Sequence, residues 1–275
     1  MLYILLMLIL LLPTLAGFGA IFKNIFGNVS IGISKQILAG ILLTTVTWTI
    51  LAFFFPLNIY VEISTLVLGI SAFFYFKTYI EFWDFISKNF LLFFIISGII
   101  IFFGSYYPFI LDHFGYYVPT VKWLSEVGLV KGISNLDLLL GQNSFWHLFQ
   151  AGFSNFTDPF LRLNVLMLII YLSYVLEEKS WIHLVFFPVL FLFIQSPSAA
   201  LPVIVFSLII LNEVFSSNKN AGFLFALSVF VFAIKPTMIW LPIFIFLYSL
   251  IILKSNLKFV FAGTLILFLF FFKNI

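Results

Sequence analysis

The sequence has 275 residues, of which 64% are hydrophobic and 8% are charged, against about 25% charged residues in an ordinary soluble domain. So little charge excludes a soluble globular enzyme, and the apolar content excludes a disordered protein. The net charge of +3 comes from lysines at the ends of apolar runs, which argues against a nucleic-acid partner, and the lack of cysteine excludes disulfides and thiolate metal sites. A membrane protein surrounded by a lipid bilayer is the class that remains.

About ten apolar runs follow one another along the chain. A membrane-spanning helix needs about 20 mostly apolar residues, and several of the later runs are shorter. The runs are 2–22, 36–56, 59–80, 89–108, 159–176, 181–195, 199–215, 221–234, 238–253 and 258–275. They predict an all-α fold, a polytopic transmembrane helix bundle with about ten helices.

Basic residues in the loops predict the orientation of this bundle. With the N-terminus outside, eight basic residues fall in cytoplasmic loops and five on the opposite side. An excess of lysine and arginine marks the cytoplasmic side of membrane proteins. This topology puts the loop 109–158, the turn 195–198 and the connection 235–237 outside the cytoplasm.

The loop 109–158 is the longest stretch without a spanning run, and it holds three of the four aspartates and two of the three histidines. Its apolar spacing predicts two amphipathic helices, one over 118–127 and one that begins at Asn143 or Ser144. We expect both helices to lie in the membrane interface, with their apolar faces toward the lipid. Asp158 is expected to cap the next spanning helix.

Asp112 is the leading candidate for chemistry, because it follows a spanning run and precedes the first amphipathic helix. At the membrane surface its carboxylate could accept a proton from a substrate hydroxyl. It could also help to hold a divalent cation, Mg²⁺ or Mn²⁺, through oxygen. The plainer alternative, which position alone favours, is that Asp112 caps the following helix.

Histidines and basic residues supply further candidates, each with a structural alternative. His113 and His147 could be metal ligands or proton shuttles, or hydrogen-bonded interfacial residues. Lys122 and Arg162 could hold a phosphate group, or anchor helices at the membrane surface. Lys235, between two apolar runs, could bind an anionic headgroup or face a polar cavity, and a helix-end anchor is an equal alternative.

A series of short motifs runs through the loop and into the later helices. It consists of Asp112-x-x-x-Tyr116-Tyr117, Lys122-Trp123, Glu126-x-Gly128-x-Val130-x-Gly132, Asn135-Leu136, Gly141-x-Asn143-Ser144, Ser196-Pro197-Ser198, Leu201-Pro202 and Ile234-Lys235. Over about 106–240, this series resembles polytopic bacterial membrane proteins that are related to GT-C type glycosyltransferases.

The resemblance implies an enzyme of the bacterial cytoplasmic membrane that transfers a sugar from a polyprenyl-phosphate donor. The transfer, to a glycan or lipid acceptor, would occur at the outer face during cell-surface glycan assembly. Asp112 matches the acid that the superfamily carries in its first extracytoplasmic loop, near the acceptor and often near a metal. The resemblance also places the first core helix at 89–108, so that 1–88 would be added helices and 89–275 a core that is incomplete at its C-terminus.

The leading hypothesis is therefore an inverting glycosyl transfer with Asp112 as the base or a cation ligand. Lys122, Arg162 and Lys235 would offset lipid-phosphate charge. The remaining substrate contacts would come from His113, Tyr116, Tyr117, Trp123, Asn143 and His147. Two alternatives stay open, a transporter or flippase of lipid-linked saccharide and an inactive truncated remnant. The lack of an internal sequence repeat favours the enzyme over the transporter.

Overall fold

A computed structural model describes residues 1–26, 31–110, 112–135, 144–215, 221–249, 263 and 266–270. Within these ranges every regular element is helical, which confirms the predicted all-α class. The α-helices are α1 (Leu2–Ile25), α2 (Ile33–Ala52), α3 (Ile59–Tyr75), α4 (Thr78–Gly104), α5 (Val118–Glu126), α6 (Phe145–Ala151), α7 (Leu163–Glu178), α8 (Phe187–Leu190), α9 (Ala200–Phe215), α10 (Ala221–Ile234) and α11 (Trp240–Tyr248).

Three helices of the described chain are long and apolar enough to cross a membrane. These are α1, α2 and α4, with 24, 20 and 27 residues, against the roughly 20 residues that a bilayer core requires. Helices α3, α9 and α10 are apolar but shorter. Length and composition are therefore compatible with membrane association.

The break between the third and fourth helices differs from the prediction. Helix α3 ends at Tyr75, and α4 begins at Thr78 after Lys77, whose φ of 55° lies in the left-handed region. The residues before 89, which we expected to form a loop, are helical, and Asp84 and Lys88 on this helix pair at i,i+4, with 2.6 Å between Oδ2 and Nζ. The predicted domain boundary at residue 88 thus falls inside α4, and the division itself stays a prediction.

The run 181–195 does not form one continuous helix. A 3₁₀ segment over Trp181–Phe186 is followed by the short α8, which has Pro188 in its first turn, and then by turns. Proline has no N–H to donate and suits a helix start, so the chain begins a new helix there.

The start of α7 also differs, because the helix begins at Leu163 instead of 159. Leu161 has a φ of 55°, in the left-handed region, so a right-handed helix cannot run through this residue. The Asp158 carboxyl group lies beside the backbone N–H groups of Arg162 and Leu163, as a capping acid would.

Helix α7 lies at the centre of the structure, and every residue from Leu163 to Leu176 is buried. It contacts α2, α4 and α9, and it belongs to one continuous apolar core that extends from α1 to α11. Helices α1, α2 and α3 pack closely because small residues face each other. A Cβ on Gly17 would lie 1.9 Å from the carbonyl oxygen of Gly69, so this contact requires glycine.

The two predicted amphipathic helices form, and the second is buried within the protein. Helix α5 begins with Pro119 in its first turn and is followed by Gly128, which has a φ of +86°. Helix α6 is capped by Ser144, whose Oγ accepts a hydrogen bond from the Trp146 N–H at 3.1 Å. All seven residues of α6 are buried, and the helix contacts α2, α5 and α10, so its apolar residues pack against protein instead of facing lipid as we expected. Its aromatic residues cover more than one face, which suits burial on every side.

Candidate functional site

A cavity of about 610 Å³ lies where α6, the segment before α5, and the connections before α9 and after α10 meet. We call it the site cavity. These connections are the ones that the basic residues place on the same side of the predicted membrane. The polar residues that line the cavity are Asp112, Tyr116, Tyr117, Ser144, His147, Ser198 and Lys235.

Asp112 presents an exposed carboxylate to the site cavity. It precedes one turn of π-helix, His113–Tyr117, which leads directly into α5. The alternative role as a helix cap is not what the structure shows, because the Asp112 side chain makes no capping hydrogen bond. Among the described residues it has no hydrogen bond or salt bridge, so the carboxylate can interact with a ligand.

Three rings pack together beside Asp112. The ring centroid of Tyr116 lies 5.1 Å from that of Tyr117 and 5.4 Å from that of His147, and the Tyr117 and His147 centroids are 5.5 Å apart. Burial, with Tyr117 and the Asp112 charge as smaller causes, raises the pKa of Tyr116 to about 12. The phenol is therefore neutral over the whole physiological pH range, so Asp112 and not Tyr116 carries the negative charge of this wall.

His147 is positioned by the hydrogen bonds of its own helix. The Ser144 Oγ donates to the Ile234 carbonyl at 2.7 Å, which ties the start of α6 to the end of α10. The Trp146 Nε1 donates to the Asn164 Oδ1 at 3.0 Å, which ties α6 to α7. Because these hydrogen bonds fix Ser144 and Trp146, the helix that carries His147 has a defined position in the cavity wall.

Asn164 connects α6 to the turn that carries Ser198. Its buried Nδ2 donates to the carbonyls of Phe193, Ser196 and Ser198, at 3.0, 2.6 and 3.0 Å. The Ser198 Oγ in turn accepts a hydrogen bond from the Ala200 N–H at 3.2 Å, at the start of α9. In the sequence, Asn164 is a polar residue within the apolar run 159–176, and Ser196-Pro197-Ser198 lies between two such runs. Neither signal indicated that the two touch.

Lys235 brings a positive charge to the cavity. It follows the last residue of α10, its backbone N–H donates to the Val231 carbonyl at 2.9 Å, and its side chain is exposed. In the part of the chain that the structure describes, Lys235 makes no salt bridge. Asp112 and Lys235 thus line one cavity with opposite charges, each outside any ion pair with a described residue.

Three predicted substrate residues are not seen in this cavity. Lys122 is exposed on α5, where its Nζ lies 3.8 Å from the Glu126 Oε1. Trp123 is half-buried beside it and does not line the cavity. Asn143 lies outside the described residues, and Ser144 is the observed cap of α6.

His113 and Arg162 also lie away from the site cavity. The His113 side chain is buried and stacks edge-on against Phe114, with ring centroids 4.5 Å apart. Burial and, to a smaller extent, the charge of Arg162 lower the pKa of His113, so it stays neutral near pH 7. Arg162 lines a separate cavity. Asp112 and His113, which are adjacent in the sequence, therefore have different surroundings: Asp112 lines the site cavity, and His113 is buried outside it.

The polar groups in the site cavity offer few ligands for a metal ion. In the described ranges, no three His, Cys, Asp or Glu residues come together in a metal-binding group. Asp112 is the carboxylate in the cavity wall, and His147 is the imidazole. Mg²⁺ is usually bound by one or two carboxylates together with substrate phosphates. A cation at Asp112 would therefore need a phosphate from the substrate.

Comparison with known proteins places the chain in a family. No curated protein and no solved structure matches it. The full length, residues 1–275, matches a family that is described as Domain of unknown function (DUF8201). The chain therefore belongs to the DUF8201 family.

Proposed function

We propose that this chain is a multi-pass membrane glycosyltransferase that uses a polyprenyl-phosphate-linked sugar. It would act at the outer face of a bacterial cytoplasmic membrane and take part in cell-surface glycan assembly. One observation carries the proposal. Asp112 and Lys235, both outside any ion pair with described residues, line one cavity together with Tyr116, Tyr117 and His147. A carboxylate and an ammonium group in one cavity wall favour a ligand with a hydroxyl group, which would donate to Asp112, and a phosphate, which would contact Lys235.

The reaction can be assigned to these groups step by step. The acceptor hydroxyl oxygen attacks the anomeric carbon of the donor, and Asp112 accepts the hydroxyl proton. The bond between that carbon and the phosphate oxygen breaks, and the polyprenyl phosphate leaves with the bonding electrons. Lys235 balances the charge on the leaving phosphate. Tyr116, which lines the cavity beside Asp112, would contact the sugar.

The packing of the connections supports the proposed topology. The loop 109–158, the turn 195–198 and the connection 235–237 would all lie outside the cytoplasm, and residues from all three line the site cavity. In the proposed bundle of about ten spanning segments, these connections would lie at one end, and α1, α2 and α4 are long and apolar enough to be three of those segments.

A divalent cation would supply electrostatic stabilisation of the phosphate if it binds there. Asp112 is the described carboxylate that would hold it, with the substrate phosphate as the second ligand. Lys235 would then share the balance of the phosphate charge.

The test is a transfer assay with purified protein in lipid nanodiscs and a synthetic polyprenyl-phosphate sugar. Asp112→Asn keeps the shape of the side chain and removes its basicity, and we expect the rate to fall by about 100-fold or more. Asp84→Asn, an exposed acid paired with Lys88, is the matched control and should keep the wild-type rate. A wild-type rate in Asp112→Asn would overturn its assignment as the base.

The same assay distinguishes the two lysines. Lys235→Gln should lower the transfer rate by about tenfold, since one charge contact with phosphate is lost. Lys122→Gln should leave the rate unchanged, because Lys122 lies outside the cavity beside Glu126. If labelled lipid-linked sugar instead crosses vesicle membranes without being transferred to an acceptor, the protein is a flippase and the proposal is overturned.

A further inference from the structure

An apolar groove of about 360 Å³ lies between the helices α10 and α11, and we call it the α10–α11 groove. Its described wall contains no charged side chain and no side chain that can form a hydrogen bond. The residues that line it are Phe225, Val229, Phe232, Ile239, Pro242, Ile243, Phe246, Leu247 and Leu267. Such a wall favours an apolar chain over a polar group.

Helical periodicity builds the two long walls of the groove. On α10, Phe225, Val229 and Phe232 recur at intervals of four and three residues, which places them on one face of the helix. The residues of α11 have a similar spacing, and they are Pro242, Ile243, Phe246 and Leu247. Seven residues of an α-helix rise about 10 Å, so the groove follows α10 for about that distance.

The α10–α11 groove adjoins the site cavity. Phe232 lines the groove and Phe270 lines the site cavity, and their ring centroids are only 4.9 Å apart. Leu267, also in the groove wall, lies one helical turn before Phe270. Lys235, in the wall of the site cavity, directly follows the last residue of α10. The two hollows therefore share a wall near the end of the helix that Lys235 follows.

The groove is open along α11. Ile239, Ile243 and Leu247 are each about half exposed. In the proposed bundle this open side would face the hydrocarbon of the bilayer, so an apolar chain could enter the groove from the lipid without contact with water.

We propose that the α10–α11 groove binds the isoprenoid chain of the lipid phosphate whose phosphate contacts Lys235. The inference rests on the polyprenyl-phosphate donor proposed above. The chain is bonded to the phosphate, so it must leave the site cavity beside Lys235, where the groove adjoins the cavity. Because the groove follows α10 for only about 10 Å, it contacts the part of the chain nearest the phosphate, and the rest extends into the bilayer.

Photo-crosslinking tests the assignment on the purified chain in phosphatidylcholine nanodiscs. The probe is farnesyl phosphate with a diazirine close to the phosphate, and peptide mass spectrometry locates the labelled residues. We expect the label on the residues of the groove. The matching farnesol probe has the same chain and no phosphate. It should label the groove about tenfold less, because the contact between phosphate and Lys235 is lost.

Three variants sharpen this test. Lys235→Gln should reduce the labelling by farnesyl phosphate about tenfold and leave the weak labelling by farnesol unchanged. Ile243→Trp fills the groove from its exposed side and should lose most of the label. Phe244→Trp is the matched control, since Phe244 is an exposed neighbour on α11 that does not line the groove, and it should keep the wild-type labelling.

Three results would overturn the proposal. The first is equal labelling by farnesyl phosphate and farnesol, and the second is unchanged labelling in Ile243→Trp. The third is a loss of the groove label in nanodiscs that contain an excess of phosphatidylglycerol, because phospholipid acyl chains would then be the occupants.

The labelling requires no sugar transfer, so its failure and the failure of the proposed function are distinguishable. Labelling that depends on Lys235, in a protein that transfers no sugar, would support the groove and remove the glycosyl transfer. Sugar transfer without any label in the groove would overturn the groove alone.

Discussion

Two polar regions of the molecule hold their charges in opposite ways. The first is an ion-pair cluster of Lys35, Glu178 and Glu213. The Lys35 Nζ lies 2.8 Å from the Glu178 Oε1 and 3.1 Å from the Glu213 Oε1, and the Tyr174 hydroxyl donates to Glu213 at 2.9 Å. The second is the site cavity, where Asp112 and Lys235 have no such partners among the described residues.

The ion-pair cluster joins three helices. Lys35 belongs to α2, Glu178 to α7 and Glu213 to α9, so the charges fix the positions of these helices relative to one another. Glu177 adds to the same junction, because its carboxylate accepts hydrogen bonds from the backbone N–H groups of Ile33 and Ser34 at 2.7 and 3.1 Å, at the start of α2.

The contrast separates charges that maintain the fold from charges that remain available to a ligand. A buried charge is tolerated when it is paired and hydrogen-bonded, as Lys35 is. An exposed charge that lines a cavity gives the fold little stability and keeps its full capacity for a ligand, as Asp112 and Lys235 do. Substitutions in the two regions should therefore have opposite effects on stability and on binding.

The largest effect on stability should come from Lys35→Met. This change leaves Glu213, which is 5% exposed, without the lysine, and breaking such a buried pair costs about 3–5 kcal/mol. The thermal midpoint in detergent should fall sharply. Lys235→Met, the matched change in the cavity, should alter the stability by less than about 0.5 kcal/mol.

A second substitution completes this comparison. The double variant Lys35→Met with Glu213→Gln removes both charges of the pair and should recover much of the lost stability. Equal midpoints for Lys35→Met and Lys235→Met would contradict the distinction between the two regions.

The sequence predicted ten site residues, of which five line the site cavity, four lie away from it and Asn143 lies outside the described residues. Asp112, Tyr116, Tyr117 and His147 were all expected at one site, because chemistry-bearing residues are concentrated in one loop of an apolar chain. For Lys235 the sequence left two equal alternatives, a role in a polar cavity or at an anionic headgroup and a helix-end anchor, and the structure places it in the cavity wall directly after α10. The all-α class followed from the same apolar runs.

Tertiary packing decides what the sequence left open. His113 follows Asp112 directly, yet its ring is buried away from the cavity, because successive residues of a helical turn point in different directions. The contacts of Asn164 reach carbonyls that lie 29 to 34 residues further along the chain, a separation that no local pattern encodes. The burial of α6 depends equally on helices that are distant in sequence.

The next largest effect should come from Asn164→Leu. The change removes the acceptor of the Trp146 Nε1 and the donor to three carbonyls, which leaves buried polar groups without partners. A buried donor that loses its acceptor, here the Trp146 Nε1, costs about 1–3 kcal/mol, so we expect a loss of about 3 kcal/mol in the free energy of unfolding. Asn164 also forms hydrogen bonds to Trp146 of α6 and to the Ser198 carbonyl, and both elements line the site cavity. We therefore expect the transfer rate of Asn164→Leu to fall as well.

Asn89→Leu is the matched control. The Asn89 side chain donates to the Phe85 carbonyl at 3.0 Å within a single helix, and it holds no second element in place. Its loss should cost less than about 1 kcal/mol. A similar loss for the two variants, measured by thermal unfolding in detergent, would show that Asn164 does not link α6 to the Ser198 turn.

The smallest expected effect is a pH dependence that comes from Asp158. Burial raises the pKa of this carboxyl to about 7, from the 3.8 of a solvent-exposed aspartate in the unfolded chain. Between these values the folded state holds a proton that the unfolded state has released, so stability falls as the pH rises toward 7 and changes little above it. Asp158→Asn has no such group, and its stability should lack this pH-dependent term.

Thermal unfolding of the wild type and of Asp158→Asn, compared from about pH 5 to about pH 8, measures the difference directly. Arg162 and Glu62, the charges that face Asp158, are the same in both proteins, so their own titration cancels. The wild type should lose stability relative to the variant as the pH rises. A gap that stays constant with pH would mean that Asp158 is ionised throughout, which would remove the physical basis for its raised pKa. Neither outcome would alter the contrast in the site cavity, because Asp112 is exposed and Asp158 is buried.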